Sequence, residues 1–126
     1  MGRRARLGVV CSVGRVGGGG KGAALNRGDI HDVTIPGGRH PAVIITRDEA
    51  IPLLRNVTIA GITSNVRGLS TEVLVGRAEG LGHDCVVNCD NLFTLPKAGL
   101  GRYRGSLDPM QVGRLDDALR IALGLD

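Results

Sequence analysis

The sequence predicts a small α+β domain, mainly β, in which a strongly bent antiparallel sheet is closed by a C-terminal helix. Short runs rich in Val and Ile alternate with turns that contain Gly and Pro, and one amphipathic stripe comes last. The 126 residues are enough for one domain with a modest core. Because the chain has one Phe, one Tyr and no Trp, that core must be aliphatic.

The first strands are placed by their alternation and by the turns beside them. Residues 28–35 alternate between two faces, as a strand does, and residues 36–38 predict a tight turn. The β-branched run 41–46 predicts a buried strand with Pro41 at its first residue, where no ladder donor is missed. Residues 47–54 predict a short helical turn that Pro52 interrupts.

The later strands follow the same pattern. Strands are predicted at residues 57–63, 71–75 and 84–91, with a further run at 92–95 before Pro96 and a last short strand at 101–107. Residues 64–70 and 76–82 are predicted to be the loops between them.

The C-terminal helix has a clear start signal. Asp108 is an N-cap acceptor, Pro109 takes the first helical position, and Gln111 stands in the capping-box place. An apolar stripe at helical spacing follows, made of Val112, Leu115, Leu119, Ala122 and Leu123.

Positive charge is concentrated in the first 24 residues. They hold five basic residues, no acidic ones, and Gly17 to Gly20 in a row. Subtracting those five from the 16 basic residues of the chain leaves 11 against 12 acidic ones, a net charge of −1 for residues 25–126. We therefore expect residues 1–24 to be a disordered or non-native extension, with translation starting at Leu25, and residues 25–126 to be the domain. A nucleic-acid site would then depend on a local cluster of side chains.

The cysteines and the hydropathy pattern exclude several classes of protein. Cys85 and Cys89 are separated by a spacing that matches neither a zinc site nor a redox pair, and no His lies at a complementary interval. We therefore expect buried thiols, no metal and no cofactor. Reduced thiols indicate a reducing compartment, so a cytoplasmic protein is predicted. No apolar run approaches the roughly 20 residues of a membrane span.

Polar side chains follow the strand at 57–63. Thr63 and Ser64 bring two adjacent hydroxyls to the strand end, and Asn65 and Arg67 follow in the loop. Such groups donate to phosphates and base edges, but they also cap strands and start turns. Both interpretations stay open on the residues alone.

Several segments occur together, in order, in one known family. They are Arg-Gly-Asp-Ile at 27–30, a basic residue before Pro41 with Ala-Val-Ile-Ile at 42–45, Ile-Thr-Ser at 62–64, Asp-Cys-Val-Val-Asn-Cys-Asp-Asn at 84–91, and a helix ending in Ala-Leu-Gly-Leu. Over about residues 26–125 the chain resembles the MazF/PemK (Kid) toxins of bacterial toxin–antitoxin systems, especially short actinobacterial members.

This resemblance implies an SH3-like barrel, also found in the related CcdB-like gyrase poisons, in a homodimer. It also implies a metal-independent, sequence-specific endoribonuclease that cleaves single-stranded RNA. The ribose 2′-hydroxyl would attack the adjacent phosphate, giving a cyclic phosphate and a 5′-hydroxyl. A cognate antitoxin would inhibit the enzyme by laying an acidic, extended C-terminal tail over the RNA groove.

The resemblance also implies the site. The catalytic candidates are His40, Arg39, Thr63, Ser64 and Asp90, and the RNA-binding candidates are Asn65, Arg67, Asn88 and Asn91. His40 stands where the family has its active-site arginine, and Asn88 stands where one branch has another arginine. The loop after the first strand is shorter than in most members.

His40 is the candidate that departs furthest from the family pattern. Histidine transfers protons near neutral pH, so His40 can serve as acid or base while Arg39 or Arg67 stabilises the phosphate. Alternatively, His40 only fills the space and activity is weakened. Adjacent strand residues point to opposite faces, so Arg39 cannot simply replace His40 unless the turn at residues 37–38 relaxes the strand. Asp90 is either a base or RNA contact, or a turn residue or buried hydrogen-bond acceptor. His31 and His83 are interpreted as structural.

Two other functions compete with the ribonuclease. One is a catalytically weakened homologue that acts mainly as an antitoxin-binding partner. The other is a non-catalytic toxin that poisons gyrase, although the chain lacks the Trp-containing end that such a poison uses.

Overall fold

A computed structural model of the chain describes residues 24–125. The predicted extension at residues 1–24 lies outside this range except for Ala24. The described chain forms an antiparallel six-stranded sheet and one C-terminal α-helix, so the predicted α+β class is confirmed. The strands are β1 (Asp29–Ile35), β2 (Gly38–Ile44), β3 (Asn56–Thr63), β4 (Glu72–Val75), β5 (Cys85–Pro96) and β6 (Leu100–Ser106), and the helix is α1 (Pro109–Leu123).

The sheet has the strand order β4-β5-β3-β2-β1-β6. Strands β1 to β4 fall close to their predicted positions, and residues 47–54 form hydrogen-bonded turns, as expected. The loop predicted at 76–82 contains a 3-10 turn at Arg77–Glu79, and a second such turn, Lys97–Gly99, precedes β6. The runs predicted at 84–91 and 92–95 are one twelve-residue strand, β5.

The sheet buries an aliphatic cluster on each face. Register pairs put Ile30, Val43 and Ala60 on the face that packs against Leu115 and Leu119 of α1. The alternate strand residues give the other face a second cluster, made of Val33, Ala42, Ile44, Val57 and Ile59, and Ile51 joins it from the turns at 47–54. Phe93 only packs at the margin of this second cluster, so the core is aliphatic, as the composition predicts.

Hydrogen bonds fix the C-terminal helix and the N-terminal end of the domain. The Gln111 amide N–H donates to Asp108 Oδ1 at 2.7 Å, and the Asp108 N–H donates to Gln111 Oε1 at 2.9 Å, so the predicted capping box is confirmed. At the other end, the Arg27 guanidinium donates to Asp116 of α1 at 2.7 Å and to the Ile45 carbonyl at 3.0 Å. The start of the domain is thereby attached to both the helix and the sheet.

The sheet curls until the 3-10 turn at 77–79 meets β6. A Cβ on Gly80 would collide with the Arg104 carbonyl oxygen, and one on Gly105 would lie 2.5 Å from the Glu79 carbonyl oxygen. Two glycines therefore allow these backbones to touch. Inside the curl, Arg104 donates to both carboxylate oxygens of Asp32 at 2.9 Å, and both side chains are buried.

The two cysteines of β5 are both buried, and Cys89 is a free thiol, as expected. None of the helices in residues 24–125 has the length and apolar composition needed to cross a membrane.

Candidate ribonuclease site

An opening between β2 and β3 is the central feature of the candidate site. The ladder between these strands runs from Ile44↔Ile59 to Ala42↔Gly61 and then ends, although β3 continues to Thr63 and β2 reaches back to Gly38. The next residue of β2 is Pro41, whose nitrogen has no hydrogen to donate. The sequence predicts Pro41 at the first residue of this strand, but Pro41 lies in the middle of β2. There it ends the ladder with β3.

His40 and Thr63 flank this opening. Each lies two residues beyond a member of the last ladder pair, Ala42 and Gly61, so both side chains belong to the same face of the sheet. Both are half-buried. The His40 ring also turns towards the preceding loop, since its Nε2 lies 3.9 Å from the place of a Cβ on Gly37. The structure thus brings together the two candidates best suited to proton transfer and phosphate donation.

Arg39 is not part of this face. It pairs with Thr34 and is exposed, whereas His40 pairs with Val33 and is half-buried. The turn at Gly37 and Gly38 has positive φ angles of 105° and 122°, yet β2 is regular from Gly38 onward. The turn therefore does not rotate Arg39 into the position of His40.

The floor of the opening is a recess at Gly61. Gly61 pairs with Ala42 on one side and with Asn88 on the other, so it joins three strands without a side chain of its own. The Asn91 side-chain nitrogen lies 3.0 Å from the place of a Gly61 Cβ. Asn88 is half-buried on the same face as Gly61. Two of the predicted RNA-binding amides therefore border the recess.

A bulge in β5 positions Asp90. The pairing passes from Ala60↔Leu92 directly to Gly61↔Asn88, which leaves residues 89–91 as extra residues in β5. The exposed Asp90 accepts a hydrogen bond from the Thr71 hydroxyl at 2.7 Å, and its own N–H donates to Asn88 Oδ1 at 2.9 Å. Asp90 thus joins the bulge to the start of β4, as the turn-residue interpretation requires.

The two hydroxyls at the end of β3 differ in their hydrogen bonding. Thr63 Oγ1 accepts a hydrogen bond from the Asn65 N–H at 3.1 Å, the geometry of a turn cap. Its hydroxyl hydrogen remains available to an incoming acceptor. Ser64 is half-buried, and its hydroxyl makes no hydrogen bond within residues 24–125. Both the capping and the phosphate-donor interpretations are therefore compatible with this geometry.

The loop after β3 is organised by a residue that the sequence analysis missed. Glu72 accepts hydrogen bonds from the backbone N–H groups of Arg67, Gly68 and Leu69, at 3.1, 2.8 and 3.2 Å to Oε1. The Arg67 side chain is exposed and has no ionic partner in the described part of the chain. A glutamate directly after a glycine-containing loop was the only signal available in the sequence.

The next question is whether the site offers a reactive thiol or a cluster of metal ligands. Burial, and to a smaller extent the Asp90 carboxylate, raise the pKa of the Cys89 thiol to about 11, while Arg27 acts in the opposite direction. Cys89 is therefore a neutral thiol at physiological pH, and it supplies no nucleophile. Within residues 24–125, no group of three or more His, Cys, Asp or Glu side chains is placed to hold a metal ion.

His31 is buried on the same face as Ala42. Its Nδ1 lies 3.1 Å from the Gly101 carbonyl oxygen, and its ring packs edge-on against Tyr103 at 5.6 Å. These contacts join β1 to β6, which agrees with a structural role.

Comparison with known proteins gives a consistent assignment. The model for the family of PemK-like, MazF-like toxins of type II toxin–antitoxin systems matches residues 26–123. Endoribonuclease MazF3 of Mycobacterium tuberculosis (strain ATCC 25618 / H37Rv) is 46% identical over 86 residues, which are 68% of this chain and 84% of that protein.

Two solved structures have the same fold. The toxin MazF-mt6 of Mycobacterium tuberculosis superposes with a TM-score of 0.74 at 43% identity, covering 78% of this chain and 98% of the toxin chain. An endoribonuclease from a mycobacterial species, solved with its cognate antitoxin, superposes with a TM-score of 0.75 at 30% identity, covering 82% of this chain and 98% of that chain. The chain therefore belongs to the family of PemK-like, MazF-like toxins of type II toxin–antitoxin systems.

Proposed function

We propose that this protein is an endoribonuclease toxin that cuts single-stranded RNA at specific sequences, without a metal ion, and is neutralised by a cognate antitoxin. The observation that carries the proposal is the position of His40 and Thr63 on the same face of the sheet, on either side of the opening at Pro41. The relatives named endoribonucleases support the reaction class. A cytoplasmic location follows from the proposed RNA substrate.

The reaction requires one proton to leave and another to arrive. The O2′–H bond breaks as O2′ bonds to phosphorus, and the P–O5′ bond breaks as a proton reaches O5′. His40 is the proton carrier at this opening, taking the proton from O2′ or giving one to O5′. Asp90 is the alternative base, although one of its oxygens already accepts from Thr71. The products are a 2′,3′-cyclic phosphate and a 5′-hydroxyl.

Donors around the opening would stabilise the charge on the phosphate. The hydroxyls of Thr63 and Ser64 lie at its β3 side, and Arg67 offers an exposed guanidinium from the following loop. Arg39 contacts a more distant phosphate in this proposal, because it faces away from His40. The amides of Asn65, Asn88 and Asn91 read base edges.

The partners of the protein are proposed on the same basis. An antitoxin with an acidic C-terminal tail would compete with RNA for the exposed guanidinium groups of Arg39 and Arg67. The functional unit is proposed to be a homodimer.

Cleavage of a long unstructured RNA in EDTA tests the proposal. We expect cuts at defined sequences that leave 5′-hydroxyl ends, and a loss of about 10²-fold or more in rate for His40→Ala. Thr63→Ala should also slow cleavage. Thr34→Ala removes an exposed hydroxyl on the opposite face and should leave the rate unchanged. Cleavage that requires a divalent metal, or that survives intact in His40→Ala, would contradict the proposed mechanism.

Two observations favour a second function, a catalytically weakened toxin that mainly binds its antitoxin. Asp90 and Asn88 are engaged in internal hydrogen bonds, and Arg39 cannot take the place of His40. In the same experiment, uncut RNA together with nanomolar binding of the antitoxin would favour this function over the ribonuclease. A gyrase poison would instead inhibit DNA supercoiling.

A further inference from the structure

One side chain holds the loop between β3 and β4. This loop spans residues 64–71, and most of it is exposed. Glu72 Oε1 accepts from the N–H groups of Arg67, Gly68 and Leu69 at 3.1, 2.8 and 3.2 Å. Glu72 Oε2 receives only a longer second bond, 3.3 Å, from the Arg67 N–H. Three successive amides thus converge on a single oxygen.

The backbone is shaped for this convergence. Gly68 has a φ of +75°, in the left-handed region, and a Cβ there would meet nothing within 4 Å. A left-handed residue in a short loop turns successive N–H groups to one side and forms a concave anion-binding nest. The glycine is therefore required for backbone conformation and not for space. Hydrogen bonds from such amides to a carboxylate are stronger than neutral ones.

The nest lies between two parts of the candidate site. Glu72 pairs with Asn88, and Asn88 pairs with Gly61, so Glu72 shares the face of the recess. The loop that Glu72 holds carries Arg67 and begins at Ser64, directly after Thr63. The far end of the loop is fixed by Thr71, which contacts Asp90 and accepts from the Cys89 N–H.

We propose that Glu72 is a positioning residue for RNA cleavage, which holds the 64–71 loop so that Arg67 and Ser64 meet the substrate. The inference rests on the proposed ribonuclease function. Glu72 itself need not touch RNA, because its carboxylate is directed at backbone amides. Positioned groups contribute strongly to rate, since small displacements of a binding group are costly.

The substitutions Glu72→Ala and Glu72→Gln separate positioning from charge. Alanine removes the acceptor, and we expect KM for a short RNA substrate to rise about tenfold while kcat changes less. The glutamine carbonyl oxygen can replace Oε1, which receives all three N–H groups, so Glu72→Gln should recover most of the affinity. If Glu72 acted through its charge or as a base, glutamine would be as defective as alanine. Glu49→Ala, an exposed carboxylate after β2, is the matched control.

Two further variants test the route of the effect. Gly68→Ala strains the nest without removing the carboxylate, so it should reproduce the rise in KM. Arg67→Ala combined with Glu72→Ala should cost less than the sum of the two single changes, because Glu72 acts through the loop that carries Arg67. Full additivity would overturn the inference.

Amide hydrogen exchange gives a readout that does not depend on catalysis. The N–H groups of residues 67–69 should exchange faster in Glu72→Ala than in the wild type, and the wild-type rate should return in Glu72→Gln. If the wild type cuts no RNA, the proposed function fails whatever the exchange shows. If the wild type cuts RNA and Glu72→Ala keeps the same KM and kcat, only the positioning role fails.

Discussion

At Pro41, one missing amide hydrogen decides where two strands separate. The Gly28 N–H donates to the Ile44 carbonyl, so Ile44 directs its backbone groups to the β1 side. Backbone groups alternate between sides along a strand, so the nitrogen of Pro41 faces β3. Because it cannot donate there, the ladder between β2 and β3 ends, and His40 and Thr63 do not pair with each other, although His40 pairs with β1 and Thr63 pairs with β5. The sequence revealed the proline, but its effect depends on which neighbour it faces, and only the register supplies that.

Among the candidate residues, too, some positions could be predicted from the sequence and some contacts could not. Thr63, Ser64 and His40 were predicted to lie together, and the structure brings Thr63 and His40 to one opening. The engagement of Asp90 by Thr71 could not be predicted, because the two residues meet only through the bulge of β5. Glu72 was missed because its role depends on the left-handed conformation of Gly68. The catalytic and binding roles of all these residues stay predictions.

Cys89 should make the stability of the fold depend on alkaline pH. Its pKa is raised from 9.0 to about 11 in the folded protein, chiefly by burial. A raised folded pKa gives stability that is complete below pH 9.0 and is lost as the pH rises from there through about 11. A shift of this size corresponds to about 2–3 kcal/mol. Urea unfolding at pH 8, 9.5 and 10.5 measures the loss.

Cys89→Ala is the matched control, because other groups also titrate above pH 9. The variant should be less stable than the wild type at pH 8, since it loses a buried sulfur, but its stability should fall less steeply with pH. Parallel pH profiles for the two proteins would show that Cys89 does not ionise in the folded state as described.

Among the elements, local motifs were predictable and contacts between distant residues were not. The capping box of α1 depends on residues 108–111 alone, and it is present as predicted. The fusion of two predicted runs into β5 depends on pairing with β3 across the bulge, which no local pattern reports. The β-branched run of β2 was recognised, yet its start was misplaced because pairing with β1 extends it to Gly38.

The buried ion pair between β1 and β6 should contribute strongly to their association. Arg104 and Asp32 are 4% and 3% exposed and share two hydrogen bonds of 2.9 Å. Arg104→Leu leaves an uncompensated buried carboxylate, so we expect the free energy of unfolding to fall by about 3–5 kcal/mol. Chemical denaturation measures this fall in the free energy of unfolding.

The double change Arg104→Leu with Asp32→Leu distinguishes the pair from simple packing. It removes both charges, so it should be more stable than Arg104→Leu alone. A double variant that is less stable than either single variant would show that the ion pair is not the main interaction of these side chains.

For the molecule as a whole, the sheet closes because two backbones touch. The 3-10 turn at 77–79 contacts β6, and Gly105 lies where a Cβ would be 2.5 Å from the Glu79 carbonyl oxygen. The obstacle is backbone, which cannot move aside as a flexible side chain can. Gly105→Ala should therefore destabilise the fold by about 2 kcal/mol or more, since overpacking typically costs about 1–3 kcal/mol. Thermal unfolding measures this loss.

Gly113→Ala is the control for this prediction. Gly113 is exposed on α1, and a Cβ there meets nothing within 4 Å. Because alanine favours a helix interior over glycine, this change should stabilise the protein by up to about 1 kcal/mol. If Gly105→Ala is as stable as Gly113→Ala, then the curl of the sheet does not depend on close contact at Gly105.

The same closure limits how this protein can associate with itself. The last strand of an open sheet has unpaired N–H and C=O groups, which recruit strands of other molecules into aggregates. Here the turn at 77–79 covers part of β6. The other outermost strand, β4, has only four residues, and its Leu74 carbonyl accepts a hydrogen bond from the Gln111 side chain of α1. Both sheet margins are thereby protected against strand addition.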